Sequence, residues 1–162
     1  MVLYELSKSQ REQHIVAGGS DAGANVNLVG MLFWFDNGCP DSAIEQAVNL
    51  IVEHEQALRL RVTVRGGVVF QYETPYTRQA VPAERLSLSR EDAVEREARL
   101  MNSFSFAHDE ALCAFKIVRT DSAVGLSCCF HHLVMDGRSL LIFGKRLCEY
   151  VDLLRENRPV RC

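Results

Sequence analysis

The stretch Ala123-Val124-Gly125-Leu126-Ser127-Cys128-Cys129-Phe130-His131-His132-Leu133-Val134-Met135-Asp136-Gly137-Arg138-Ser139 decides how the chain is read. From Ala123 through His131 it is apolar at both parities, the pattern of a central strand buried on two faces. Two adjacent histidines close the strand, an aspartate follows, and Gly137 or Arg138 opens a helix. In that helix Leu140, Phe143, Leu147, Val151 and Leu154 recur at near-helical spacing, and Asn157-Arg158-Pro159 ends it. A strand end that turns sharply is held rigidly yet borders a cleft, so polar side chains placed there are poised for chemistry.

Working outward, Leu112 to Arg119 reads as a second strand, joined to the first by Thr120-Asp121-Ser122. Ahead of it, a helix starts near Ser89, with Asp92 placed to return a capping bond and Val94, Ala98 and Met101 on one face. Leu60 to Val64 and Val68 to Glu73 alternate as a hairpin across Arg65-Gly66-Gly67, and Pro75 and Pro82 bracket an irregular connection. A capping box, Ser42-Ala43-Ile44-Glu45, opens a helix whose stripe is Ile44, Val48 and Ile51, with Ala47 and Leu58 alongside. Asn25 to Phe35 is a strand closed by Asp36-Asn37-Gly38. Ser7 caps a short helix running to Val16, and the glycine-rich residues Gly18 to Gly23 form a loop. The sum is an α/β (α+β) fold in two layers, a mixed β-sheet covered by helices, with residues 1–162 as a single domain.

Composition narrows the function. With 162 residues, 48% hydrophobic and 24% charged, the chain has the composition of an ordinary globular domain. A net charge of −3 with no basic cluster gives no electrostatic reason for nucleic acid to bind, and no apolar run is long enough to span a bilayer. The six cysteines lack paired spacing and no Cys-x-x-Cys pair occurs, which points away from a disulfide framework and a zinc site and toward a reducing, cytoplasmic setting.

His131 and His132 admit three readings on residue chemistry alone. They are a structural pair at a strand end, a proton-transfer site suited by the near-neutral pKa of imidazole, or metal ligands together with Asp136. Adjacent strand residues point to opposite faces, which works against convergent ligation. By parity His132 shares a face with Val124, Leu126, Cys128 and Phe130 unless a turn breaks the register. No Gly-x-Ser-x-Gly elbow is present, so serine-nucleophile chemistry is not indicated.

The string His131-His132-x-x-x-Asp136-Gly137 resembles the signature of the superfamily that includes chloramphenicol acetyltransferase and the condensation domains of nonribosomal peptide synthetases. Its companions favour the second group. Leu6-Ser7-Lys8-Ser9-Gln10 resembles the opening Leu-Ser-x-x-Gln element of condensation domains, and Glu55-Gln56-Ala57-Leu58-Arg59 resembles their His-Glu-x-Leu-Arg element. Phe104-Ser105-Phe106 with Leu112-Cys113-Ala114-Phe115 is similar to their Phe-Asp-Leu segment and the strand after it. Glu55 and Gln56 stand where that family usually has His-Glu, Ser105 where aspartate is common, and Arg138 where an aromatic or small residue is frequent.

The resemblance implies a half-domain like a chloramphenicol acetyltransferase subunit: the N-terminal lobe of a two-lobed domain whose C-terminal lobe is absent from this chain. It implies acyl transfer from a carrier-protein thioester to an amine, forming an amide, with the isolated lobe inactive. His132 is then the general base or orienting residue, and His131 a more structural neighbour. Asp136 fixes the loop by pairing with an arginine, for which Arg59 is the candidate, and Gly137 allows close backbone approach, with its N–H near a developing oxyanion. No cofactor or metal is bound directly, since substrates arrive on phosphopantetheine arms of carrier proteins. The implied partners are the second lobe, acyl or peptidyl carrier proteins and an adjacent adenylation domain, with neither nucleic acid nor membrane. The alternatives are a non-catalytic carrier-docking or assembly module and a small oligomeric CoA-dependent acyltransferase.

Overall fold

The computed structural model describes residues 2–18, 27–102 and 106–160, with backbone alone for 14–18 and 102. The expected loop from Gly19 to Gly23, the start of the first long strand at Asn25, and Phe104-Ser105 lie outside the described residues.

Among the described residues, seven strands form two sheets. In the larger, β2 (Leu28–Asp36), β7 (Ala123–His131), β6 (Cys113–Arg119) and β5 (Ala83–Arg85) lie side by side in that order, antiparallel except for the parallel β5–β6 pair. The smaller sheet is antiparallel, in the order β1 (Tyr4–Glu5), β4 (Val68–Glu73), β3 (Leu60–Arg65). Its hairpin turns on Gly66 and Gly67, at φ of +57° and +78°, the two left-handed positions that a two-residue turn requires. Neither β1 nor β5 stands out in the sequence, because segments of two or three residues carry too little alternation to register.

The two-sided strand is where the apolar run places it. β7 pairs with β2 from Leu28↔His131 to Asp36↔Ala123 and with β6 from Cys113↔Phe130 to Arg119↔Val124, and Ala123 to Phe130 are all buried. Val124, Leu126, Cys128 and Phe130 face a core shared with Ile44, Ala47, Val48 and Ile51 of α2 (Asp41–His54) and Leu140, Phe143, Leu147 and Val151 of α4 (Gly137–Arg155). Leu58 joins this core from a 3₁₀ turn, Gln56–Arg59, rather than from α2 itself. On the opposite face, α3 (Arg90–Asn102) packs with Ala93 against Leu86 and Val118.

Two local expectations are corrected. The capping box at Ser42 does not form: Pro40, in extended conformation, caps α2, and the Ala43 and Ile44 N–H groups donate to its carbonyl. Ser42 is therefore already helical, and the Glu45 carboxylate instead accepts from Arg78 and the Val81 N–H. On α3 the inward face is Ala93, Glu97 and the expected Met101, which lies against Gly30 of β2, while Ala98 is exposed and Val94 is 44% exposed. Glu97, 2% exposed, is tolerated inside because its carboxylate accepts from Lys116 Nζ at 2.8 Å and Arg96 Nη1 at 2.9 Å. A pattern of apolar residues cannot register a buried charge that brings its own partners.

Helix α4 lies so close to β2 that a Cβ at Gly144 would overlap the Phe33 ring, whereas one at Gly137 meets nothing within 4 Å. Gly144→Ala should therefore cost about 1–3 kcal/mol in urea unfolding, outweighing the ~1 kcal/mol that alanine gains in helix propensity. Gly137→Ala should unfold at or slightly above the parent midpoint. Equal midpoints for parent and Gly144→Ala would contradict the close helix–sheet packing.

Candidate functional site

β7 ends at His131, and the chain turns at once. The His131 N–H donates to the Leu112 carbonyl at 2.9 Å and the His132 N–H to the Asn27 carbonyl at 2.6 Å, so the segments on both sides of the strand grip the turn. The Leu133 N–H donates to His131 Nδ1 at 3.1 Å and the Val134 N–H to the His131 carbonyl at 3.0 Å. A nitrogen that accepts a hydrogen bond carries no proton, so His131 is committed to shaping the turn. Its ring stands edge-on to Phe106, centroids 6.0 Å apart.

The turn breaks the strand parity. His132 leaves the face of Val124 to Phe130 and lines an open cleft of about 270 Å³ together with Ser9, Gln10, Gln13, Asp136 and Ser139. Alternate residues after it are anchored. Leu133 is buried with Leu6, Val62 and Leu112 between the smaller sheet and the loop, and Met135 enters the main core. The spacing from His132 to Asp136 is thus fixed by two apolar side chains set into two different cores.

Asp136 caps α4: its Oδ1 accepts the Ser139 N–H at 2.7 Å, and its carbonyl accepts the Leu140 N–H at 2.9 Å. The Ser139 N–H and then the Ser139 hydroxyl hold the carboxyl below the usual aspartate range, with His132 nearby acting in the same direction. The expected Arg59–Asp136 pair is not formed. Arg59 Nη1 donates to the Val52 and Glu53 carbonyls at the end of α2, and Nη2 meets Glu73 Oε1 at 2.5 Å. The unpaired carbonyls of a helix end lie a few residues away in the chain and claim the guanidinium first. The residues that stand in place of His-Glu have local partners as well, Glu55 with Arg146 of α4 and Gln56 with Glu73.

Gly137, at the first turn of α4, faces open space, so no part of the described chain requires the close approach expected there. The three cysteines of β6 and β7 are poor nucleophiles: burial raises the Cys128 thiol well above its usual value and pushes Cys113 and Cys129 up to about 11. Among the described residues no group of three or more His, Cys, Asp or Glu gathers as a metal site, and no helix is long and apolar enough to cross a membrane.

Gln10 reaches the site without having been marked out by chemistry. Its Nε2 donates to the Leu133 carbonyl at 3.2 Å and to Gln71 Oε1 of β4 at 2.9 Å. Its signals in the sequence are its spacing from Ser7, which fits a capping box, and its place as the glutamine of the Leu6-Ser7-Lys8-Ser9-Gln10 element.

A family model described as a condensation domain matches residues 2–161. The AMB antimetabolite synthetase AmbB of Pseudomonas aeruginosa is 33% identical over 124 residues, covering 71% of this chain and 10% of that protein. Among solved structures, the starter condensation domain of rhizomide synthetase RzmA superposes with a TM-score of 0.80 at 17% identity, over 100% of this chain and 40% of that one. The first condensation domain of the CDA synthetase gives 0.82 at 20% identity, over 99% and 42%. The chain therefore spans about two-fifths of these solved domains, and the superpositions establish its α+β fold.

A carboxyl held below its ordinary value stabilises the folded state fully above the usual aspartate pKa of about 3.9, and that contribution is lost as pH falls through the lowered value. Asp136→Ala should therefore lower the thermal midpoint at pH 7 and differ less from the parent near pH 3. Asp136→Asn, which still caps, should stay closer to the parent at pH 7. A midpoint difference for the alanine variant that is the same at both pH values would contradict the charged cap.

Proposed function

The chain belongs to the condensation-domain family, and on that footing we propose that it is the N-terminal lobe of a nonribosomal peptide synthetase condensation domain. Its reaction is amide formation between a carrier-bound acyl thioester and an amine. The observation that carries this reading is the position of His132: released from strand register, half-buried, and lining an open cleft beside the start of α4.

In this reading the amine nitrogen attacks the thioester carbonyl carbon, and the new C–N bond forms as the C–S bond breaks. His132 takes the proton released by the nitrogen and returns one to the departing thiolate, so the step is balanced without a metal or redox partner. In the same reading the Gly137 N–H, at the first turn of α4, favours negative charge growing on the carbonyl oxygen. Asp136 serves as a positioning residue, because its side chain is occupied by the helix cap. His131 and Arg59 support the frame, the first through the turn and the second through the end of α2.

Leu141 and Ile142 on α4 are 69% and 54% exposed, which favours a covering lobe on that face. The phosphopantetheine arm belongs to the carrier protein and enters as part of the substrate. The free thiols of Cys39, Cys113, Cys128, Cys129 and Cys148 fit a reducing cytoplasm.

With the second lobe supplied in cis or in trans, together with donor and acceptor carriers, the chain should form amide, and His132→Ala should slow turnover by about 10²–10⁴-fold. Undiminished turnover in that variant would remove His132 from the reaction. Carrier binding without turnover under any pairing of lobes would favour a docking module.

A further inference from the structure

We infer that Gln10 is a positioning residue for His132, acting through the carbonyl of Leu133; this rests on the reading of His132 given above. The element Leu6-Ser7-Lys8-Ser9-Gln10 reaches Leu133 from two positions. Leu6 packs with the Leu133 side chain in the smaller core, and Gln10 Nε2 donates to the Leu133 carbonyl at 3.2 Å. The residue held from both ends is the one immediately after His132.

The orientation of the Gln10 amide follows from its neighbours. Gln10 Oε1 accepts the Ser7 N–H at 2.8 Å while the Gln10 N–H donates to Ser7 Oγ at 3.2 Å, a reciprocal cap at the start of α1 (Lys8–Gly18). A backbone N–H needs an oxygen, so Nε2 is turned the other way, where a carbonyl needs a donor. Gln71 locks the arrangement from β4. Its Nε2 donates to Gln10 Oε1 at 3.0 Å and to the Glu5 carbonyl at 3.1 Å, and its Oε1 receives Gln10 Nε2. One side chain thus joins α1, the smaller sheet and the turn that carries His132. Within the turn the Leu133 and Val134 N–H groups donate to His131, and the His131 and His132 N–H groups donate to the Leu112 and Asn27 carbonyls. The Gln10 tether adds a link from the Leu133 carbonyl to α1 and β4, on the side of the cleft that Ser9, Gln10 and Gln13 line.

The two ends of the amide do separate work, and substitutions divide them. Gln10→Glu keeps an oxygen for the Ser7 N–H but has no proton to give the Leu133 carbonyl, so the cap survives and the tether is lost. Ser7→Ala weakens the cap and leaves the tether donor in place. Hydrogen exchange on the chain should show the His132, Leu133 and Val134 amides exchanging at least ten-fold faster in Gln10→Glu. In Ser7→Ala they should stay near the parent, and Leu126 in mid-strand should be unchanged in both.

In the assembled two-lobed domain, kcat should fall by about 10²-fold in Gln10→Glu, the order expected when a reacting group is misplaced by about 1 Å, with KM for the donor little changed. Parent-like loop exchange or parent-like kcat in Gln10→Glu overturns the inference. If His132→Ala abolishes turnover while Gln10→Glu leaves it intact, the positioning role alone fails. If neither variant slows turnover, the reading of His132 falls, and this inference with it.

Discussion

A strand paired on both edges and buried on both faces has only its end from which to present a side chain, and β7 is such a strand from Ala123 to Phe130. Along it the ladders to β2 and β6 hold the backbone from Val124 to Phe130, and at its start Ala123 exchanges hydrogen bonds with Thr120. Where the strand stops, the backbone must find partners outside the ladder. It finds them in the Leu112 and Asn27 carbonyls, and within two residues the chain has changed direction. Two neighbouring imidazoles consequently have different fates. One is spent on the turn, and the other is left at the rim of a cleft.

The rim is rigid because its anchors are of different kinds. Leu133 and Met135 sink into separate apolar clusters, Asp136 takes a backbone N–H of α4, and Gln10 takes the carbonyl between them. Around this centre, partly exposed ion pairs such as Arg119 with Asp41 and Arg155 with Asp36 join helix to sheet at the periphery. Their individual contributions are small in water, and the frame rests on the packed core rather than on them. Phe143, stacked with Phe115 and set against Phe33 and Phe130, is the point where α4 and three strands meet.

Much of this was legible before any coordinates. The run from Ala123 to His131 gave the central strand with its true ends, the stripe from Leu140 to Val151 gave α4, and Gly66-Gly67 gave the hairpin. What escaped depended on contacts made across the chain. The Ser42 box matched a local pattern, yet Pro40 had already begun the helix. Glu97 had no place in the expected apolar face of α3, because its partners Arg96 and Lys116 come together around it only once α3 lies on the sheet. Arg59 was assigned to Asp136 by resemblance, but the nearest unsatisfied acceptors were the carbonyls that end α2. At the site, His132 was identifiable by type and place. Its departure from the core face required knowing where the strand stops, and the reach of Gln10 required knowing that β4 brings Gln71 alongside.

The claim that matters most is the unequal engagement of two adjacent rings, one bonded into the turn and one lining the cleft. Carbethoxylation by diethyl pyrocarbonate, followed residue by residue with peptide mass spectrometry, reads it directly, because the reagent needs an accessible, unprotonated ring nitrogen. The account predicts that His132 is modified several-fold faster than His131, whose Nδ1 is engaged by the Leu133 N–H and whose ring lies against Phe106. Equal rates, or a His131 that reacts first, would contradict it.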